Sequence, residues 1–199
     1  MALSVPQVLC EEAKRKTIHS CGVAIPVVYL FSEKEVIILA FLSAFFIISI
    51  IEWLRFRGLI ALPFLRTTER KKIAAYVFFM IGAFISILIF EKRIAIAAIL
   101  MLALGDTVAA LAGALMTGDN PWYEKRIKPP EVMLAMFMTS LLIGYLVLGS
   151  LPIAVLGTIG ATVADGVPLK VQGISVDDNL TIPVFSGILM TCGAMWYLF

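Results

Sequence analysis

An all-α integral membrane protein, a bundle of about seven transmembrane helices, is the fold class this sequence predicts, and three observations predict it. Hydrophobic residues make up 61% of the 199 and charged residues 15%, with a mean hydropathy of +0.99. A soluble domain is typically about 45–50% apolar and about 25% charged. A chain of this size still exposes much of its surface when folded, so the excess cannot be hidden in a core, and lipid must act as the solvent. The second observation is a series of apolar runs near the roughly 17–25 residues that cross a hydrocarbon layer. The third is that lysine and arginine crowd into alternate connecting segments.

The runs follow in order. Residues 17–31 form a short first span holding Pro26. Runs at 36–54, 73–90, 94–117 and 181–199 are each long enough to cross. The run 132–148 is marginal in length but free of charge, and 151–164 is short and glycine-rich. Residues 58–65 are too few and read as a connector. No repeat of fixed period and no soluble second domain interrupts the chain, which reads as one domain over 1–199.

With the N-terminus inside, the inner segments hold Lys14, Arg15, Lys16, Arg55, Arg57, Arg66, Arg70, Lys71, Lys72, Lys125, Arg126, Lys128 and Lys170. The outer segments hold only Lys34, Lys92 and Arg93. That bias sets an orientation with the N-terminus cytoplasmic and the C-terminus external. Trp53, Trp196 and Tyr197 at span ends suit interfacial anchors. A net charge of +2 with no basic tract excludes a nucleic-acid partner. Cys10, Cys21 and Cys192 lack metal or disulfide spacing and read as buried free thiols. Glu11 and Glu12 near the start argue against a cleaved leader.

The polar residues gather on the inner face. Glu12, Arg15, Lys16 and His19 share one helical face through offsets of three and four. They suit either an inner anchor or a binding face, and His19, the only histidine, either a structural or a catalytic role. Asp106 lies within an apolar run, where an ionised carboxylate costs at least about 2.5–3.5 kcal/mol near the bilayer centre, so a function is expected of it. Gly105, Ala109 and Gly113 form a small-residue stripe suited to close helix packing. Asp177, Asp178 and Asn179 offer oxygen ligands for a hard cation such as Mg2+, and in isolation also suit a turn. Lys125, Arg126, Lys128 and Glu131 lie in a Pro-bounded loop, where basic residues opposite an acidic metal site are what a triphosphate needs. Motifs for P-loop, Rossmann, nucleophile-elbow and zincin chemistry are all missing.

Three motifs in this order resemble the membrane-embedded CTP-dependent lipid alcohol kinases, which act on dolichol, polyprenol and phytol and include a diacylglycerol kinase branch. The family's E-x-x-R-K-x-x-H matches Glu12 to His19. Its G-D-x-x-A-x-x-G matches Gly105 to Gly113, one residue longer before the last glycine, and its D-D-N-L-T-x-P matches Asp177 to Pro183. The resemblance covers nearly the whole chain. Two departures stand out. The family's K-S-x-E-G-S is here Lys128-Pro129-Pro130-Glu131-Val132-Met133, and a glutamate ending the sixth span is here Asp165.

The resemblance implies phosphorylation of a membrane-embedded isoprenoid alcohol with CTP and Mg2+, at the cytoplasmic face of a cell or endoplasmic reticulum membrane. It assigns the metal to Asp106, Asp177 and Asp178. Glu12, Arg15, Lys16, Lys128 and Asn179 would bind the nucleotide, and Glu131 would orient Lys128 or a metal-bound water. The base would be Asp106 or His19. A CDP-lipid synthase is the nearest alternative. A small transporter is more distant, since it wants mid-membrane charges on two repeat-related broken helices.

Overall fold

The computed structural model describes residues 13, 16–17, 19–62, 72–117 and 127–196. Glu12, Arg15, Lys125 and Arg126 lie outside them, as do Cys10 and Tyr197. The described chain is almost wholly helical: α1 (Ala24–Phe31), α2 (Lys34–Phe56), α3 (Ala75–Ile89), α4 (Lys92–Leu100), a π-helical turn (Met101–Gly105), α5 (Asp106–Thr117), α6 (Pro130–Leu148), α7 (Leu151–Gly166) and α8 (Asp178–Trp196). A two-residue hairpin, β1 (Lys170–Val171) with β2 (Ile174–Ser175), joins α7 to α8.

Among the described residues, four helices are long and apolar enough to cross a membrane: Lys34–Phe56, Lys92–Met116, Pro130–Leu148 and Asp178–Trp196. Three more are apolar but shorter: His19–Phe31, Ala75–Ile89 and Leu151–Gly166. The run 73–90 was expected to cross unaided, yet its helix has only 15 residues, because 72–74 are not helical. The opposite holds at 132–148, where Pro130 and Glu131 supply an extra half-turn at the N-terminus of α6. Leu39, Phe46 and Leu146 are exposed on the exterior, an apolar surface that lipid rather than water would solvate.

The core sits on the continuous rod formed by α4, the π turn and α5, of which 72% of the most apolar stretch is buried, against 11% for α2. α6, α7 and α8 wrap it, with α7 packed between the other two. Glycines permit the close approaches. A Cβ on Gly105 would stand 2.8 Å from Met136 Sδ of α6, and one on Gly82 of α3 would stand 2.5 Å from the Asn179 carbonyl oxygen of α8. The stripe that begins at Gly105 thus serves helix packing. Pro183 cannot donate to the carbonyl four residues back, which belongs to that same Asn179, and α3 passes beside it.

The two ends of the bundle differ in chemistry. At one end Lys92 Nζ donates to Ser32 O (3.0 Å), Lys34 Nζ to Leu88 O (2.8 Å) and Arg93 Nη2 to Val147 O (2.6 Å). Each cation meets a carbonyl at the C-terminal end of α1, α3 or α6, where the helix dipole favours positive charge. The three basic residues assigned to the outer segments are therefore helix caps sharing one end. Gly149, at φ +69°, closes α6 there in the left-handed conformation that glycine adopts without strain. The hairpin at the other end turns through Gln172 and Gly173, both at positive φ, the type I′ geometry that matches strand twist. Sequence pattern offered no strand there, because two residues are too few to carry an alternation. Cys21 and Cys192 are free as expected, but exposed rather than buried, since both lie on outward-facing helical positions.

Candidate active site

The polar end assembles from five segments. The π turn adds one residue to the helical repeat just before Asp106, a distortion frequent at functional sites. Asp106 is 3% exposed, and Lys16 Nζ, itself buried, donates to its Oδ2. His19, also buried, brings Nδ1 to 3.7 Å from that oxygen, and its ring meets Phe79 edge-on at 5.4 Å. The N-terminal segment therefore packs Lys16 and His19, three residues apart, directly onto the α5 carboxylate.

α7 contributes Asp165 from its last turn, with a fully buried side chain. Lys128, in the segment leading to α6, donates from Nζ to Asp165 Oδ1 at 2.6 Å and stands 3.7 Å from Asp178 Oδ2. The Lys128 backbone N–H also donates to Gly166 O (2.9 Å), fixing this segment against the end of α7. Burial opposes the charge on Lys128, but Asp165, Asp178 and Asp106 together hold its pKa above the ordinary lysine value. It is an ammonium group at any physiological pH.

Asp106, Asp165 and Asp178 each offer a carboxylate oxygen, and the three oxygens lie within 4.8 Å of one another. An all-carboxylate donor set suits a hard divalent cation such as Mg2+. The fit can be tested on the lone pairs left over. Asp165 Oδ2 is buried with no hydrogen-bond partner among the described residues, a costly state for a carboxylate oxygen that a cation would relieve. Among the described residues, the three carboxylates face two ammonium groups, which leaves the cluster one formal negative charge, a field that attracts a cation.

Asp177 is used differently. Its Oδ1 accepts from the Asn179 backbone N–H (3.0 Å) and from Asn179 Nδ2 (2.6 Å). That is the bonding of a helix N-cap, and it starts α8 so that Asp178 faces Lys128. Burial, then the charge of Asp178 beside it, push the Asp177 carboxyl up to about 7. Asn179 is buried, its amide nitrogen committed to Asp177 and its Oδ1 without a partner among the described residues. Glu131 is exposed in the first turn of α6.

Of the residues singled out in the sequence, the structure thus brings together Lys16, His19, Asp106, Lys128 and Asp178. Asp177 and Asn179 hold the turn that presents Asp178, Glu131 is exposed with no contact to the cluster shown, and Glu12 and Arg15 lie outside the described residues. Asp165 enters the cluster in the position expected of Asp177. A second polar group, not anticipated, lies between α2 and α3. Arg55 pairs with Glu52 (Nη2 to Oε2, 2.5 Å), Tyr76 donates to Glu52 Oε1 (2.6 Å), and Arg55 Nη2 also donates to Lys72 O (2.6 Å). Glu52 ends an apolar run, and that was the available signal.

The chain matches no protein-family model, no curated protein and no solved structure.

Proposed function

We propose that this protein is a CTP-dependent kinase that phosphorylates a long-chain isoprenoid alcohol within the membrane. The observation that carries the phosphoryl-transfer reading is the juxtaposition of Asp106, Asp165 and Asp178 with Lys16 and Lys128 at one end of an apolar bundle. Acidic groups that hold a cation beside mobile ammonium groups are the parts such chemistry needs, since it rests on positioning and charge neutralisation. The nucleotide and the alcohol rest on the motif resemblance. In this reading the three shorter helices complete seven spans, and the polar end is cytoplasmic.

Asp106, Asp165 and Asp178 would hold Mg2+, which when bound neutralises charge on the transferring phosphoryl group and its leaving oxygen. Lys16 and Lys128, now bonded to carboxylates, exchange these for phosphate oxygens when the triphosphate arrives. The acceptor's hydroxyl oxygen forms a bond to the γ-phosphorus, the bond from that phosphorus to the β,γ-bridging oxygen breaks, and CDP leaves. His19 takes the hydroxyl proton. It stands beside Asp106, with Nδ1 3.7 Å from Oδ2, where the carboxylate charge favours the imidazolium that forms. Asp177 and Asn179 position Asp178 through the N-cap.

CTP labelled at the γ- or α-phosphorus, offered to purified protein with a polyprenol, a diacylglycerol and a phosphatidic acid in turn, tests the proposal. Transfer of γ label to polyprenol is expected. Transfer of α label to phosphatidic acid would replace the kinase reading with CDP-lipid synthesis at the same site.

A further inference from the structure

Beside the acidic cluster lies an apolar cavity of about 530 Å3, bounded by the N-terminal helical segment, α2 and α3. Pockets that hold small molecules run from about 300 to 1,000 Å3, so the volume suits several methylene or isoprene units. His19, Ile25, Ile48, Ile51, Phe79 and Met80 line it. His19 belongs to both places, since its Nδ1 is also 3.7 Å from Asp106 Oδ2. Tyr76 lines the cavity too, but its hydroxyl is already donated to Glu52.

α2 explains why the space exists. It is the least embedded of the long helices and is fastened to α3 at separated points. Phe41 and Phe45 meet the Phe84 ring at 5.4 and 5.3 Å, and further along Glu52 holds Arg55 and Tyr76. Ile48 and Ile51 fall between these two clamps, opposite Tyr76, Phe79 and Met80. An apolar space of this kind does not hold water, and in a bilayer hydrocarbon is the available filling.

Resting on the kinase reading above, we propose that this cavity is the slot for the hydrocarbon chain of the acceptor lipid. The chain enters from the bilayer between the two clamps of α2, and its hydroxyl end emerges past His19 at Asp106. The occupant is the acceptor rather than a bulk phospholipid because the slot leads to His19, which takes the acceptor's proton in that reading and stands 3.7 Å from Asp106 Oδ2.

The test uses the full chain in phosphatidylcholine nanodiscs with a polyprenol carrying a diazirine on its hydrocarbon chain. After irradiation, adducts are expected on Ile48, Ile51 and Met80, reduced at least tenfold by excess unlabelled polyprenol. Adducts confined to other helices would overturn the slot. So would equal labelling of these residues by a diazirine-bearing phosphatidylcholine that polyprenol does not displace. A second arm fills the slot with Ile48→Trp or Met80→Trp. KM should rise at least tenfold for long-chain polyprenol, with KM for CTP and turnover of a short water-dispersible prenol unchanged. Equal losses for both alcohols would again overturn it. Displaceable labelling without any phosphate transfer would leave the slot standing and sink the kinase reading instead.

Discussion

Replacing Lys128 by methionine should destabilise the protein far more than replacing its partner Asp165 by leucine, and replacing both should restore most of the loss. The asymmetry follows from the surroundings of the pair. The Asp165 side chain is fully buried, Lys128 is its cation, and its second oxygen has no partner among the described residues. Removing the ammonium therefore strands a buried carboxylate, a change that costs about 3–5 kcal/mol. Lys128 is better placed to survive alone, because Asp178 Oδ2 lies 3.7 Å away and the side chain is partly exposed. Its loss is about that of one charged hydrogen bond, about 1.5–3 kcal/mol. A methionine–leucine pair of similar volume leaves no fully buried charge behind, since the Asp178 side chain is 39% exposed, and should fall within about 1 kcal/mol of the wild type. Equilibrium unfolding in mixed micelles with increasing dodecyl sulfate, followed by tryptophan fluorescence, measures all four corners of the cycle. The double variant should be folded but without turnover. Additive losses, or two single variants of equal stability, would refute the buried-pair argument.

Three further outcomes are expected. In a cysteine-free background, Lys92→Cys should react with an impermeant maleimide from outside intact cells and Lys125→Cys should not; the reverse pattern would invert the orientation. Gly82→Ala places a Cβ 2.5 Å from the Asn179 carbonyl oxygen. It should cost about 1–3 kcal/mol by overpacking and lower turnover by displacing Asp178, and an unaffected variant would mean that α3 and α8 are not in such close contact. Arg15→Gln and Lys16→Gln should each worsen KM or kcat for the nucleotide at least about tenfold, the equivalent of one charge-assisted hydrogen bond. KM for the lipid alcohol should hold; no loss at all would remove Arg15 and Lys16 from the nucleotide site.

What could be read from the sequence, and what could not, divides along a physical line. A lone carboxylate in an apolar run is conspicuous, so Asp106 stood out, and charge bias alone collected the polar residues at one end. Offsets of three and four placed Lys16 and His19 on one face, and the structure sets both against Asp106. Asp165 was harder to see. It ends a short glycine-rich run, and its proximity to Asp106 and Asp178 depends on α7 packing between α6 and α8. The choice between Asp177 and Asp178 was equally hidden, because adjacent residues point in different directions and only the N-cap decides which one faces the cluster. In the sequence Arg55 counts only among the basic residues of the inner segments, whereas the arrival of α3 makes it part of a buried pair with Glu52. In each case the missing information was which helix lies alongside, a long-range property that local pattern does not carry.

The claim on which the account turns is that Asp106, Asp165 and Asp178 form a single divalent-cation site. Mn2+ binding to the purified protein, followed by the loss of the free-ion paramagnetic resonance signal, measures it directly. The wild type should bind one ion per chain, Asp165→Asn should lose at least tenfold in affinity, and Asp177→Asn should retain it, since that carboxylate is engaged in capping α8. Loss of the ion in Asp177→Asn with full retention in Asp165→Asn would contradict the site as built from the structure.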